Sequence, residues 1–284
     1  MGKSKGKKKP TLALIDADLW CYDIPYASES GLEEGESPSL SYCIRAGESR
    51  LERILETVGC TEYRFFLTGK GNFREERATI KPYKGNRSGK PKLYKEMRQW
   101  LQFKFNAEIV DGMEADDMLS VIQTLEGDNS VIVSRDKDLR ITKGWHYGYE
   151  CGKQPEFPLT YIDELGYLEK NSKGKVKGGG LAFFYFQMLL GDSTDNIQGV
   201  PKWGEKKAFD LLNDYQDDDN LMFFKVLEIY EQVYKDDYID AFLENGDLLW
   251  MVNELKEDGS PVLWSTLETT LERIEEYKNE SRTE

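Results

Sequence analysis

Four acidic clusters stand out by residue type and spacing: Asp16-Ala-Asp18, Glu114-Ala-Asp116-Asp117, Asp136-Lys-Asp138 and Asp192-Ser-Thr-Asp195. Taken singly, each has a plain structural reading. Acids at a helix N-terminus are favoured by the macrodipole, and D-x-D and D-x-x-D spacings are common in turns. Together they suggest more. Glu114 and Asp117, at i and i+3, would share a helix face, and Asp136 and Asp138, at i and i+2, a strand face. Carboxylates gathered from several element ends repel one another, and the usual compensation is a hard divalent cation. Two such ions about 4 Å apart clamp a phosphoryl group for in-line attack by water. The chain holds one histidine, His146, and four cysteines without C-x-x-C spacing. The donor set therefore suits Mg²⁺ or Mn²⁺ rather than zinc, and Ser–His or Cys–His nucleophilic mechanisms are disfavoured.

These acids need elements to hold them. TLALID (11–16), EYRFFLT (62–68), AEIV (107–110) and SVIVS (130–134) read as short buried strands. Helical patterns lie between them, at 42–58 and 114–126. The alternation predicts an α/β fold with a parallel sheet and helices on its faces. The first three strands end near Asp16, Thr68 and Asp111, and the fourth runs into Asp136. Strand C-termini are where open α/β sheets place their ligands. The stretch 70–105 is basic and aromatic, with Gly and Pro punctuation, and reads as a long excursion from the sheet. Connections of that length are usually functional or disordered. Lys170–Gly180 (KNSKGKVKGGG) reads as a flexible basic loop. LAFFYFQMLLG (181–191) is apolar enough for a buried helix, and further helical segments follow at 205–213, 219–235, 238–255 and 265–279.

Charge is distributed unevenly. The 284 residues carry a net charge of −14, which taken alone argues against a nucleic-acid partner. Residues 208–284 hold 21 acidic and 6 basic side chains, so residues 1–207 are close to neutral. Within them, 64–104 holds twelve Lys and Arg against Glu75, Glu76 and Glu96. A solvated face is the bland explanation; in so acidic a chain, contact with a polyanion is the better one. No run approaches the ~20 apolar residues of a membrane span. No apolar h-region follows the lysine-rich start, TLALID being too short and soon meeting Asp16 and Asp18, so a signal peptide is not expected, and sparse cysteines point to a reducing cytoplasm.

Two readings fit these features. A haloacid-dehalogenase-like phosphatase would use Asp16 and Asp18 as nucleophile and acid and Asp192 to Asp195 as a metal loop. That family usually has Thr or Val where this chain has Trp20, and its metal loop follows a core strand. The second reading accounts for all four clusters. LIDADLW (14–20), YKGNR (83–87), GMEADDM (112–118), SRDKDL (134–139) and GDSTDNIQGVPKWGEKKA (191–208), in this order, resemble the 5′ nuclease family. Its members include bacteriophage 5′→3′ exonucleases, flap endonucleases and the 5′ nuclease domain of bacterial DNA polymerase I. The resemblance runs from about residue 11 to 213.

The resemblance implies a PIN-like parallel-sheet nuclease core over 11–160 after a basic tail at 1–10. A helical arch at about 70–105 belongs to that core. A helical part over 161–284 follows, with a helix–hairpin–helix at about 181–213 and acidic C-terminal helices. Asp16, Glu114, Asp116, Asp117, Asp136, Asp138, Asp192 and Asp195 map onto the family's metal-binding acids. Lys84 and Arg87 map onto basic residues near the scissile phosphate, acting with Asp16, Asp117 and Asp136 in catalysis. Arg74, Lys84, Arg87, Gly199, Lys202, Gly204, Lys206 and Lys207 are the expected DNA contacts, with K⁺ at the hairpin. Tyr83, Tyr94 and Trp100 are candidates to stack on an unpaired 5′ end. The partners implied are DNA 5′ ends, flaps and branched junctions, RNA–DNA hybrids, and a replisome docked by the acidic helices. A monomer working in phage DNA replication or primer removal is expected, or else a catalytically weak junction-binding relative. Three departures stand out: Thr68 and Gly69 replace an aspartate after the second strand, with Glu75 a candidate substitute. The first helix lacks its usual arginine, and Trp203 replaces a small aliphatic residue in the hairpin.

Overall fold

β1 (Leu12–Asp16) lies at the centre of a six-stranded sheet, and every residue from Ala13 onward is buried. The computed structural model describes residues 7–30, 32–33, 36–86, 89–163 and 165–281. It divides into two units, Met1–Asn72 with Ser88–Asp163 and Phe73–Arg87 with Glu164–Glu284. In the first, the order is β3-β2-β1-β4-β5-β6, with β2 (Glu62–Thr68), β3 (Glu108–Val110), β4 (Ser130–Val133), β5 (Gly144–Gly148) and β6 (Phe157–Ile162). All pairs are parallel except β5 with β6. The chain builds outward from β1 through β2 to β3, then returns to start again at β4. The ends of β1 and β4 therefore flank the point where the order reverses, the ligand crevice of open α/β sheets.

One sheet face carries Ala13, Ile15, Phe65, Leu67, Val131 and Val133. Against it pack α1 (Ala17–Glu29), α2 (Leu40–Val58) and, after α3 (Phe73–Arg77) of the second unit, α4 (Tyr94–Phe105). Leu51, Ile54 and Val58 of α2 and Met97, Leu101 and Phe105 of α4 recur at helical spacing and are buried. Gly47 lets α4 approach α2: a Cβ there would stand 2.5 Å from Trp100. α5 (Ala115–Glu126) covers the opposite face.

The second unit is organised on α6 (Gly180–Leu190), which is buried almost throughout. It is preceded by β7 (Tyr167–Lys170) and β8 (Val176–Gly179), so the segment expected to be a flexible loop is instead a β-hairpin. β9 (Gly191–Asp192) and β10 (Ile197–Gln198) follow, then α7 (Glu205–Leu212), α8 (Asp219–Tyr234), α9 (Tyr238–Leu249) and α10 (Glu268–Ser281). Phe223 and Phe242 meet edge to face, and both pack on Trp264. The Tyr230 hydroxyl donates to the Met188 carbonyl at 2.6 Å and accepts from Asn245.

The basic stretch expected to form one arch over 70–105 is split between the units. Residues 73–86 pack with the second, whereas α4 is a core helix of the first. Among the described residues no helix is long and apolar enough to cross a membrane.

Candidate active site

In the first unit the acids gather at the ends of β1, β4 and the start of α5. Asp16 caps α1, accepting from the Leu19 amide at 3.3 Å, while its other oxygen accepts from the Ser134 hydroxyl at 2.7 Å. That hydroxyl also accepts from the Asp136 amide at 3.0 Å, and Asp136 accepts from the Asp138 amide at 2.8 Å. Asp136 and Asp138 therefore lie beyond β4 on a turn of backbone leading into a 3₁₀ helix, not on a shared strand face. Glu114 and Asp117 form a reciprocal capping box on α5, so the capping role of this cluster is real, and Asp116 sits between them on the first turn. Asp117 is fully buried.

Burial pushes the Asp16 carboxyl up to about 7; the charges of Asp18 and, more weakly, Asp136 push the same way, against the stabilising bonds from Ser134 and Leu19. Neighbouring carboxylate oxygens are thus close enough to raise the proton affinity of Asp16. A hard divalent cation offsets such crowding, and the donor chemistry fits Mg²⁺ or Mn²⁺. Among the described residues, no three Asp, Glu, His or Cys side chains already stand in position to hold a metal ion.

Asp18, to which the family resemblance assigns no role, is tied down. One oxygen accepts from the Thr68 amide at 3.0 Å and the other from Arg98 at 3.2 Å, while Arg98 also donates to the Thr68 carbonyl at 2.6 Å. The end of β2 thus receives a carboxylate from α1 although its own sequence supplies none. α1 carries no arginine, and its Asp18 is instead paired with Arg98 of α4. Thr68 itself accepts from the Ala115 amide at 2.9 Å and caps α5 from outside. Glu75 is exposed on α3 of the second unit. Residue type alone could not have found Arg98; its position one turn from Tyr94 on the buried α4 was the available signal.

In the second unit the YKGN segment is stitched to the DSTDN loop between β9 and β10. Lys84 donates its amide to the Asp195 carbonyl at 2.8 Å, and its ammonium lies 3.7 Å from the Asp195 carboxylate. Tyr83 donates to the same carboxylate at 3.0 Å, and Asn86 to the Ser193 carbonyl at 2.9 Å. Asp192 accepts from the Thr194 amide at 2.7 Å and from Gln187 at 3.2 Å. Gly191 and Asp192 follow the buried helix α6 rather than a core strand, which removes the metal loop of the phosphatase reading.

After β10 the chain turns at Val200–Trp203, with Lys202 at φ +67° and the Trp203 amide donating to the Val200 carbonyl at 3.1 Å. Gly199 packs on the backbone of Leu190, where a Cβ would come within 2.2 Å; Gly204 faces open space. Lys202, Lys206 and Lys207 are exposed around the start of α7, with Lys207 over the Trp203 ring at 4.7 Å.

Two expectations need correction. Arg74 is 3% exposed and donates to the carbonyls of Leu248 (3.0 Å) and Trp250 (2.6 Å) at the end of α9. It is a packing residue, unavailable to a phosphate. The aromatics are likewise engaged internally: Tyr94 against Tyr22 at 5.0 Å, Trp100 against Phe105 at 5.1 Å, and Tyr83 on Asp195. Arg87 lies outside the described residues.

No protein-family model matches the chain. It is 31% identical over 229 residues to the 5′–3′ exonuclease of Buchnera aphidicola subsp. Schizaphis graminum, covering 76% of this chain and 74% of that one. It is 32% identical over 166 residues to DNA polymerase I of Streptococcus pneumoniae, an alignment spanning 52% of this chain and only 17% of the polymerase. Among solved structures, the bacteriophage T5 D15 protein crystallised with metal ions shares the fold, with a TM-score of 0.50, 16% identity, and 82% and 87% of the two chains covered.

Proposed function

We propose, from the premise that this chain belongs to the 5′ nuclease family, that it is a structure-specific nuclease acting on DNA as a 5′→3′ exonuclease and flap endonuclease. The observation that carries this reading is the similarity to a 5′–3′ exonuclease over most of both chains, with the first unit's acid clusters at the ends of β1 and β4 and the start of α5. Bound Mg²⁺ or Mn²⁺ would polarise the phosphodiester and lower the pKa of the attacking water. Asp16, Glu114, Asp116, Asp117, Asp136 and Asp138 of the first unit would hold the ions, Ser134 orienting Asp16 and Arg98 orienting Asp18. Asp192 and Asp195 of the second unit are assigned the same role. Lys84, presented with its neighbour Asp195, would meet charge on the phosphate, as would Arg87. The turn from Gly199 to Gly204, with Lys202, Lys206 and Lys207, would follow duplex phosphates without reading sequence, with K⁺ bound there.

The task proposed is removal of 5′ ends, flaps or RNA primers in phage DNA replication, by a monomer whose acidic C-terminal helices contact other replication proteins. A 5′-labelled flap incubated with and without Mg²⁺ tests the reading. Cleavage that EDTA stops and Mn²⁺ restores supports it; a gel shift without cleavage instead supports the junction-binding alternative. Asp136→Asn should abolish cleavage and leave DNA affinity within about twofold, because the phosphate grip lies on other residues.

A further inference from the structure

The segment KNSKGKVKGGG is built as a firm projection. β7 and β8 pair from Tyr167↔Gly179 to Lys170↔Val176. The turn is closed by the Asn171 amide donating to the Lys175 carbonyl and the Gly174 amide donating to the Asn171 carbonyl, both at 2.9 Å. The Asn171 side chain also accepts from the amides of Lys173 (2.9 Å) and Lys175 (3.0 Å). Gly174 stands at φ +76°, a conformation most residues avoid. Leu168 and Val176 are buried on one face.

The hairpin is also fastened to α7. The Lys170 ammonium sits 4.1 Å over the Phe209 ring and 3.0 Å from Asp210, and the Val176 amide donates to Glu205 at 3.3 Å. Its base is tight: a Cβ on Gly166 would lie 2.2 Å from the Gly179 carbonyl oxygen. This anchoring leaves Lys173 and Lys175 at the tip and Lys177 on the outer face, all exposed. None of the three has an ion pair among the described residues, and Glu169, opposite Lys177, is the hairpin's one acid. The same helix α7 carries Lys206 and Lys207 in its first turn.

We propose that the β7–β8 hairpin is a second phosphate-binding arm of this unit, which engages the backbone of duplex DNA and lengthens the footprint begun by the Gly199–Gly204 turn. The proposal rests on the reading of that turn as a duplex grip. Residues 171–178 contain no aromatic or arginine side chain, so base stacking and bidentate recognition are absent and the fitting partner is a run of phosphates. A pre-ordered arm loses little conformational entropy on binding.

The test uses the full chain in EDTA with blunt duplexes of increasing length. The salt dependence of Kd is measured for wild type, for Lys173→Gln/Lys175→Gln/Lys177→Gln, and for Lys202→Ala/Lys206→Ala/Lys207→Ala. Losing three phosphate contacts should lower the slope of log K against log salt by roughly 2.7, at about 0.9 per contact. The hairpin variant should also reach its affinity plateau on a shorter duplex, and Lys→Arg at the same three positions should restore both. An unchanged slope and plateau in the hairpin variant, with a reduced slope in the turn variant, would overturn the proposal and leave the duplex grip standing. Unchanged slopes in both would overturn the grip and the arm together.

Discussion

Arg98 and Asp18 lie 3.2 Å apart, and both also bond Thr68, the arginine to its carbonyl and the aspartate to its amide. An interaction 80 residues apart in sequence thereby places a carboxylate where β2 ends in a hydroxyl. Asp18→Asn should raise the Mg²⁺ or Mn²⁺ concentration needed for half-saturation, read by calorimetric metal binding as well as by cleavage. Arg98→Gln should do the same more weakly, because the carboxylate remains but is no longer held. Glu75→Gln should leave the metal titration unchanged. Wild-type metal binding in Asp18→Asn would make Asp18 a strand-end anchor and nothing more.

Asp16 gives the metal-free protein a pH signature. Its carboxyl is pushed up to about 7 from an ordinary 3.8, so between those values the folded state binds more protons than the unfolded chain. Stability from this group therefore falls as pH rises through that window. His146 acts in the opposite sense. Burial lowers it to about 4 from 6.5, so its contribution grows as pH rises across that range. A single melting profile sums the two, and the difference between Asp16→Asn and wild type isolates the first. In EDTA the variant should gain stability relative to wild type from about pH 4 to pH 7, and saturating Mn²⁺ should erase the gain, since the cation binds the deprotonated carboxylate. A difference curve flat in EDTA would show that Asp16 ionises normally.

The residues that were legible in sequence are those whose neighbours are close in the chain. EYRFFLT forms β2 over its whole length, with Phe65, Phe66 and Leu67 its buried run and Glu62 and Tyr63 exposed at its start. β5 (GWHYG) escaped notice because it is short, mixed in character and buried on both faces, which leaves no alternation to detect. α4 hid inside a basic stretch, although Met97, Leu101 and Phe105 mark its buried face. At the site, acid clusters announced themselves by type, whereas the partners that aim them did not. Ser134 and Arg98 are ordinary residues until β4 meets β1 and α4 meets α1. Arg74 shows the converse: FREER looks solvated, and only the carbonyls at the end of α9 turn it inward.

Arg74→Met should therefore lower stability without touching DNA affinity. The substitution keeps much of the aliphatic stem and strips donors from two carbonyls, at a cost of about 2–3 kcal/mol. Thermal melting should shift downward while the salt slope of duplex binding stays at the wild-type value. A loss of slope with unchanged melting would restore Arg74 to the DNA surface.

Introducing an acid at the end of β2 separates two neighbouring positions. A Cβ at Gly69 would stand 2.1 Å from the Asp111 carboxylate and 2.8 Å from the Val110 carbonyl oxygen. The Asp111 oxygen concerned already accepts from the Lys70 amide at 2.8 Å. Gly69→Asp, and equally Gly69→Ala, should lose about 1–3 kcal/mol through overpacking, whatever metal is present. Thr68 has room for a polar side chain, and a carboxylate there can still accept from the Ala115 amide. It would, however, place a further negative charge beside Asp18. Thr68→Asp should then melt below wild type in EDTA, recover in Mn²⁺, and saturate at a lower metal concentration. If Thr68→Asp and Gly69→Ala show the same loss in EDTA and in Mn²⁺, the end of β2 is a packing element and contributes nothing to metal binding.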